Sequence, residues 1–205
     1  MQKALRTAEN ELRLSDPVIA DLIERHGPCT LFAKNSLIHK PHFHVLVWAI
    51  INQQLSVPSA RSIENKLSTL LQSDNFDLET LLETKDEQLA CCGLSRQKIR
   101  YLRALCDAVG RGDINLKQLS RMDNDRVFAT LAALPGIGPW TVDMFLMFSL
   151  GRLDVLPLGD LALRKSIAHH YDLPDNPALQ DYHTIADNWR PYRTVSSWYL
   201  WAAVD

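Results

Sequence analysis

The segment LPGIGPWTVDMFLMF, Leu134 to Phe148, joins two stretches with helical character. Upstream, Asp123 can lead into a helix that runs to Leu134. Downstream, Pro139 suits a first helical turn, where its missing N–H has no intrahelical partner to lose. Between them, Gly136 and Gly138 permit backbone conformations closed to residues with a Cβ. Such a turn can aim successive N–H groups, here those of Gly136, Ile137 and Gly138, outward beside a helix N-terminus, where an anion binds favourably. A DNA phosphate fits, and it demands little net positive charge. The plain alternative is a Pro-Gly turn in a helical protein; Gly-Ile-Gly directly before a helix favours phosphate.

Working outward, the rest of the chain also punctuates as helices. Ser15-Asp16-Pro17 is a cap followed by a helix-starting proline, and Gly27 closes that segment after Arg25-His26. Pro41 opens FHVLVWAIINQQLS, apolar on all sides at its centre, as a buried helix is. Ser56-Val57-Pro58 restarts a helix with Ile63, Leu67, Leu70 and Leu71 on one face, and Asp77 and Asp86 can cap two short ones. Ser95 caps a helix carrying Ile99, Leu102, Cys106 and Val109 at helical spacing. Further helices follow from Asp160 to Tyr171, after Pro177 and after Pro191. Val155-Leu156 is the best short extended piece, and the fold class is all-α.

With 205 residues, 46% hydrophobic and 22% charged, the chain has an ordinary globular balance and enough length for one large domain or two small lobes. Its longest apolar run, Val45 to Ile51, is too short to span a bilayer, and MQKALRTAENELRLSD lacks the apolar core of a signal peptide. These features predict an intracellular protein, in the cytoplasm and nucleoid of a bacterium or in a nucleus, with no membrane partner. Cys29, Cys91, Cys92 and Cys106 include no C-x-x-C pair, which points to buried thiols and not to zinc or an iron–sulfur cluster. The net charge of −2 argues against non-specific coating of nucleic acid but permits a local grip through backbone amides.

Together with LPGIGPWT at 134–141, the chain carries DPVIADLIERHGP at 16–28, VWAIINQQLS at 47–56 and GLSRQKIRYL at 93–102. DVLPLGDLALRK at 154–165, WRPYR at 189–193 and YLW at 199–201 follow. In this order they resemble the helix–hairpin–helix DNA glycosylase superfamily, and within it the 3-methyladenine DNA glycosylase II type. The resemblance implies a single domain over 1–205 made of two α-helical lobes with an active-site cleft between them. The lobe with the hairpin includes roughly 41–150, and the N- and C-terminal helices form the other. With no β-domain ahead of Asp16, the chain looks like the compact form. The four-cysteine cluster near the C-terminus of the iron–sulfur relatives is missing, since the last cysteine is Cys106.

The resemblance also implies roles. Asp160 in LPLGDLALRK matches the catalytic aspartate. Breaking an N-glycosidic bond builds positive charge on the sugar, which a fixed carboxylate can stabilise while orienting or deprotonating water. Asp160 also stands where a helix N-cap belongs, and the two roles can coexist. Relatives that cut the strand carry a lysine where Trp140 stands, and tryptophan cannot form a Schiff base. The expected product is therefore an abasic site in an intact strand. Trp140 and Trp201 match positions lining the base pocket, with Tyr199 close by. Aromatic walls suit a cationic alkylated base. Met144 replaces an aromatic pocket residue of some relatives, which bears on substrate breadth. Gln54 matches the wedge that fills the gap left by an extruded nucleotide, and Gln53 would face the estranged base or the pocket. The hairpin supports a structural Na+ or K+ in the family, here through the backbones of Leu134 and Ile137, with no other cofactor. The expected partner is double-stranded DNA containing alkylated bases, bound by a monomer.

Other features have blander readings. His42 and His44 point in different directions on a helix and are read as its polar start, not as metal ligands with His39. Arg96, Lys98, Arg100 and Arg103 read as a solvated basic face. Arg164 and Lys165 either hold phosphate or neutralise local charge. Two competing functions are a glycosylase for deaminated or mismatched bases and a non-catalytic DNA-binding module; the latter requires neither Asp160 nor the two tryptophans.

Overall fold

The computed structural model describes residues 1–204. Its helices begin with α1 (Gln2–Ser15), α2 (Pro17–His26), a 3-10 turn at Leu37–His39, α3 (His42–Asn52), α4 (Val57–Leu71), α5 (Leu78–Glu83) and α6 (Asp86–Cys91). They continue with α7 (Arg96–Gly110), α8 (Leu116–Leu119), α9 (Asn124–Ala132), α10 (Pro139–Phe148), α11 (Leu161–His170), α12 (Leu179–Asp187) and α13 (Arg193–Ala202). The described residues contain no strand, and none of their helices is long and apolar enough to cross a membrane. The chain divides into two compact units, Met1–Ile38 with the chain from Leu146 onward, and His39–Phe145. The division falls inside α10.

In the first unit α1 packs on α2 and α13, and α11 packs on α13. Sequence punctuation starts the helices at Asp16 and misses α1, whose charges conceal an apolar stripe. Leu5, Ala8 and Leu12, three and four residues apart, are all buried. Asp16 does cap α2, accepting the Val18 and Ile19 amides at 3.0 and 3.1 Å through Oδ1. Its Oδ2 accepts the Tyr171 hydroxyl at 2.8 Å and the Trp189 indole N–H at 2.9 Å. Four donors offset the cost of burying this carboxylate, which is 3% exposed.

The approach to Asp160 is pinned to the start of α13. Thr194 donates its N–H to the Leu153 carbonyl at 2.9 Å and its hydroxyl to the Arg152 carbonyl at 2.7 Å, and accepts the Val155 N–H at 3.0 Å. Arg190 and Arg193 both hold Asp154. WRPYR at 189–193 is thereby accounted for by structure: Trp189 serves Asp16, and its two arginines clamp the segment leading to the catalytic candidate. The extended piece expected at Val155-Leu156 forms no strand, and Thr194 Oγ1 supplies the partner of the Val155 N–H.

In the second unit α3 is buried nearly all round, packed by α4, α7 and α8. Its His44 is a core group and not a polar helix start. Nδ1 accepts the Phe76 amide at 2.9 Å, the ring stacks on Phe76, and burial pushes its pKa down to about 4. No metal-binding cluster occurs among the described residues. Asp77 caps α5, accepting the Thr80 amide at 2.9 Å. Asp86 does not cap α6: Lys85 takes that place, and Gln88 reaches back to its N–H at 3.0 Å. The basic face of α7 is only half solvated. Arg103 turns inward to the Leu81 and Thr84 carbonyls and to Asp86, and Lys98 to the carbonyls of Ile51 and Gln53. Both cations meet carbonyls at a helix C-terminus, where the dipole welcomes them. Arg96 and Arg100 remain exposed.

Candidate active site

The turn before α10 is built by its sequence. Leu134 to Ile137 has Pro at the second position and Gly136 at the third with φ +80, closed by Ile137 N–H donating to the Leu134 carbonyl at 3.2 Å. This is the type II pattern, which asks for φ > 0 at the third residue. Gly136 is required by space as well. A Cβ there would come within 2.2 Å of the Tyr101 ring, and Gln97 hydrogen-bonds the Tyr101 hydroxyl. In the sequence, Tyr101 is marked only by its place in GLSRQKIRYL at 93–102.

The two residues after Gly136 behave differently from expectation. The Ile137 amide closes the turn and its side chain is buried, so its N–H is already used. Gly138 does not need a left-handed backbone, and a Cβ on it would meet nothing within 4 Å. Neither strain nor the protein's own packing explains this glycine. The first-turn amides of α10 have no intrahelical acceptor, as in any helix.

Gln53 and Gln54, adjacent in sequence, diverge. Gln54 is exposed with φ +54, a left-handed conformation that a residue with a Cβ seldom adopts. The Gln53 amide instead donates to the Gly136 carbonyl at 2.8 Å and to Thr141 Oγ1 at 2.9 Å. Where the sequence reading has Gln53 face the estranged base or the pocket, the structure commits its amide nitrogen to the hairpin. In the same unit, Trp140 lies half-buried in the first turn of α10, and Met144 on that helix is 3% exposed. Met144 packs as core and offers no open face. On the same helix, burial pushes the half-buried carboxyl of Asp143 up to about 7, a feature that residue identity does not reveal.

In the other unit Asp160 is the N-cap of α11. Its Oδ1 accepts the Leu163 amide at 2.8 Å and also the indole N–H of Trp201 at 3.0 Å. Trp201 is half-buried and stacks with Phe148, the centroids 6.1 Å apart at 29°. The cap position of α11 thus holds a carboxylate whose Oδ1 is fixed by two donors. Tyr199 is corrected out of the base pocket. It is 0% exposed, and its hydroxyl hydrogen-bonds Glu9 at 2.8 Å and the Gly27 carbonyl at 2.9 Å. On α13 position 199 is fully buried while 201 is only half-buried, because residues two apart on a helix point in different directions. Arg164 folds back onto the Leu158 carbonyl, bracing the loop before Asp160, and Lys165 is exposed.

The chain is similar to known proteins over most of its length. The chain is 31% identical over 200 residues to the alkylbase DNA glycosidase-like protein mag2 of Schizosaccharomyces pombe, covering 96% of this chain and 92% of that one. It is 32% identical over 168 residues to DNA-3-methyladenine glycosylase 1 of the same organism, covering 81% and 74%. Among solved structures, a 3-methyladenine DNA glycosylase of S. pombe in complex with abasic DNA superposes with a TM-score of 0.83 at 30% identity, over 95% of each chain. A DNA-3-methyladenine glycosidase of Bacillus halodurans gives 0.69 at 34% identity, over 92% and 89%. Residues 47–191 match the family described as HhH-GPD superfamily base excision DNA repair protein. Matched by this family over residues 47–191 and by relatives over most of its length, the chain belongs to the HhH-GPD superfamily of base excision DNA repair proteins.

Proposed function

We propose that this protein is a monofunctional DNA glycosylase that hydrolyses the N-glycosidic bond of alkylated purines of the 3-methyladenine and 7-methylguanine type in duplex DNA. The observation that carries this reading is Asp160, whose carboxylate oxygen is held by both the Leu163 amide and the Trp201 indole. An N3- or N7-alkylated purine is cationic, so it leaves as a neutral base, taking the electron pair of the glycosidic bond with it. Positive charge then develops on the sugar, and a carboxylate already fixed in place stabilises it without reorganising. Water adds to the sugar carbon and gives up its proton, to Asp160 or to solvent, leaving an abasic site. The half-buried Trp201, hydrogen-bonded to Asp160, supplies an aromatic face for a cationic base. Because Trp140 has no amine, no Schiff base forms and the strand stays intact.

Double-stranded DNA is the partner, bound by a monomer inside the cell. The Gly136 turn sets the start of α10 for a phosphate, and the open space beside Gly138 suits close approach of a DNA backbone. The Leu134 carbonyl accepts one long hydrogen bond of 3.2 Å and keeps a second lone pair. With the Ile137 carbonyl it would hold Na+ or K+ as a structural bridge to that phosphate, and the chemistry needs no other cofactor. Exposed Gln54, in its left-handed conformation, is the wedge. The test incubates the protein with methylated duplex DNA and measures released bases beside Asp160→Asn. Wild type should release base with strand breaks only after heat or alkali, and the variant should lose nearly all release; full activity in the variant removes Asp160 from the mechanism.

A further inference from the structure

The contacts of Gln53 form a brace that base removal by Asp160 does not by itself require. Its amide joins the loop ending α3 to the hairpin through the Gly136 carbonyl and Thr141 Oγ1. Lys98, in the first turn of α7, holds the same loop by the carbonyls of Ile51 and Gln53. One turn further along α7, the Tyr101 ring lies against Gly136. The loop carrying Gln54 and the phosphate-facing hairpin are thus tied to one another by Gln53 and each to α7 by a second contact. Lys98 is half-buried, and burial lowers its pKa, as fits an ammonium committed to main-chain carbonyls.

We propose that Gln53 and Lys98 are positioning residues that lock the wedge loop to the hairpin, so that intrusion into the duplex and anchoring of its backbone are performed by one rigid body. Gln53 accordingly does not read the base left opposite the lesion. The inference rests on the glycosylase reading, in which Gln54 is the wedge. The physical reason is leverage: a wedge displaces a nucleotide only if the phosphates it pushes against are held at a fixed distance. A loosening of about 1 Å in such a geometry can cost on the order of 100-fold in rate.

The test uses Gln53→Met, which keeps the length and removes the donor, with Thr141→Val as a second variant that removes one acceptor and keeps the shape. Hydrogen exchange on the free, folded protein reads the brace without reference to activity. Amides at 53–56 and at 134–141 should lose protection together in Gln53→Met, and to a smaller extent in Thr141→Val; a change confined to one segment, or none, overturns the brace. In single-turnover excision, Gln53→Met should slow release from duplex DNA about tenfold more than release from single-stranded DNA, and in the Gln54→Ala background it should add about twofold or less. Additive effects, or a changed preference for the opposite base, overturn the positioning role. If wild type releases no base while the joint loss of protection is seen, the glycosylase reading fails and the brace stands.

Discussion

Substituting Gly136 by alanine tests two constraints at one atom, and they can be separated. The backbone constraint is φ +80, where an L-residue with a Cβ costs about 1–2 kcal/mol. The steric constraint is the Tyr101 ring, which the new Cβ would approach to 2.2 Å at its root and 2.4 Å at a flanking carbon. The ring cannot simply swing its tip aside, since the contact lies at its attachment and Gln97 engages its hydroxyl. Overpacking of this kind costs about 1–3 kcal/mol. Gly136→Ala should therefore destabilise by roughly 2–5 kcal/mol, a large share of the 5–15 kcal/mol typical of a domain. Tyr101→Ala has its own cost, but it clears the space. In the double variant only the backbone cost of about 1–2 kcal/mol should remain on top of the Tyr101→Ala loss. Urea unfolding of the wild type, both single variants and the double closes the cycle. Additivity within about 0.5 kcal/mol would show that the ring does not constrain the turn, and the argument would be wrong.

Trp201→Phe keeps a ring beside Phe148 and removes the N–H that Asp160 accepts at 3.0 Å. A hydrogen bond to a charged group contributes about 1.5–3 kcal/mol, so kcat for base release should fall roughly 10- to 100-fold with KM little changed; an undiminished kcat would deny Trp201 its aiming role. Burial raises the Asp143 carboxyl from 3.8 to about 7, so the folded state holds this proton more tightly than the unfolded chain. Its stabilising contribution is complete below the lower value and is lost as pH rises through the upper one. Melting temperatures of wild type against Asp143→Asn should thus shift in favour of the variant between about pH 4 and pH 7 and run parallel above that; a constant difference across this range would contradict the burial argument. Asp16→Ala strands the buried indole N–H of Trp189 and leaves the Tyr171 hydroxyl and the Val18 and Ile19 amides without their acceptor. Unfolding followed by tryptophan fluorescence should show a loss of about 3 kcal/mol or more, and a loss under about 1 kcal/mol would mean that other groups replace the carboxylate.

Much of the architecture was legible from local signals. Asp16, Ser56, Asp77, Ser95, Asp123 and Asp160 all cap the helices that their sequence context assigns to them. Pro135-Gly136 specifies its turn by backbone chemistry alone. The missed α1 was also written in the chain, as Leu5, Ala8 and Leu12, but its charged residues outweighed that stripe when read as composition. At the site, residue type was a good guide to the capping position of Asp160 and a poor one to the surroundings of Tyr199, Met144 and Gln53. An aromatic or amide side chain can serve a pocket, a core or a brace equally well.

What the sequence determined by itself is the set of helices, the hairpin turn and the carboxylate at the head of α11, because caps, turns and apolar periodicity act between residues a few positions apart. Tertiary structure alone decided which donor aims Asp160, from 41 residues away, and that Gln53 spends its amide on a carbonyl 83 residues further along. It also turned Lys98 and Arg103 from a solvated face into clamps on helix ends. Hydrogen bonds and burial depend on which groups packing brings within about 3 Å, and that proximity is a property of the whole folded chain.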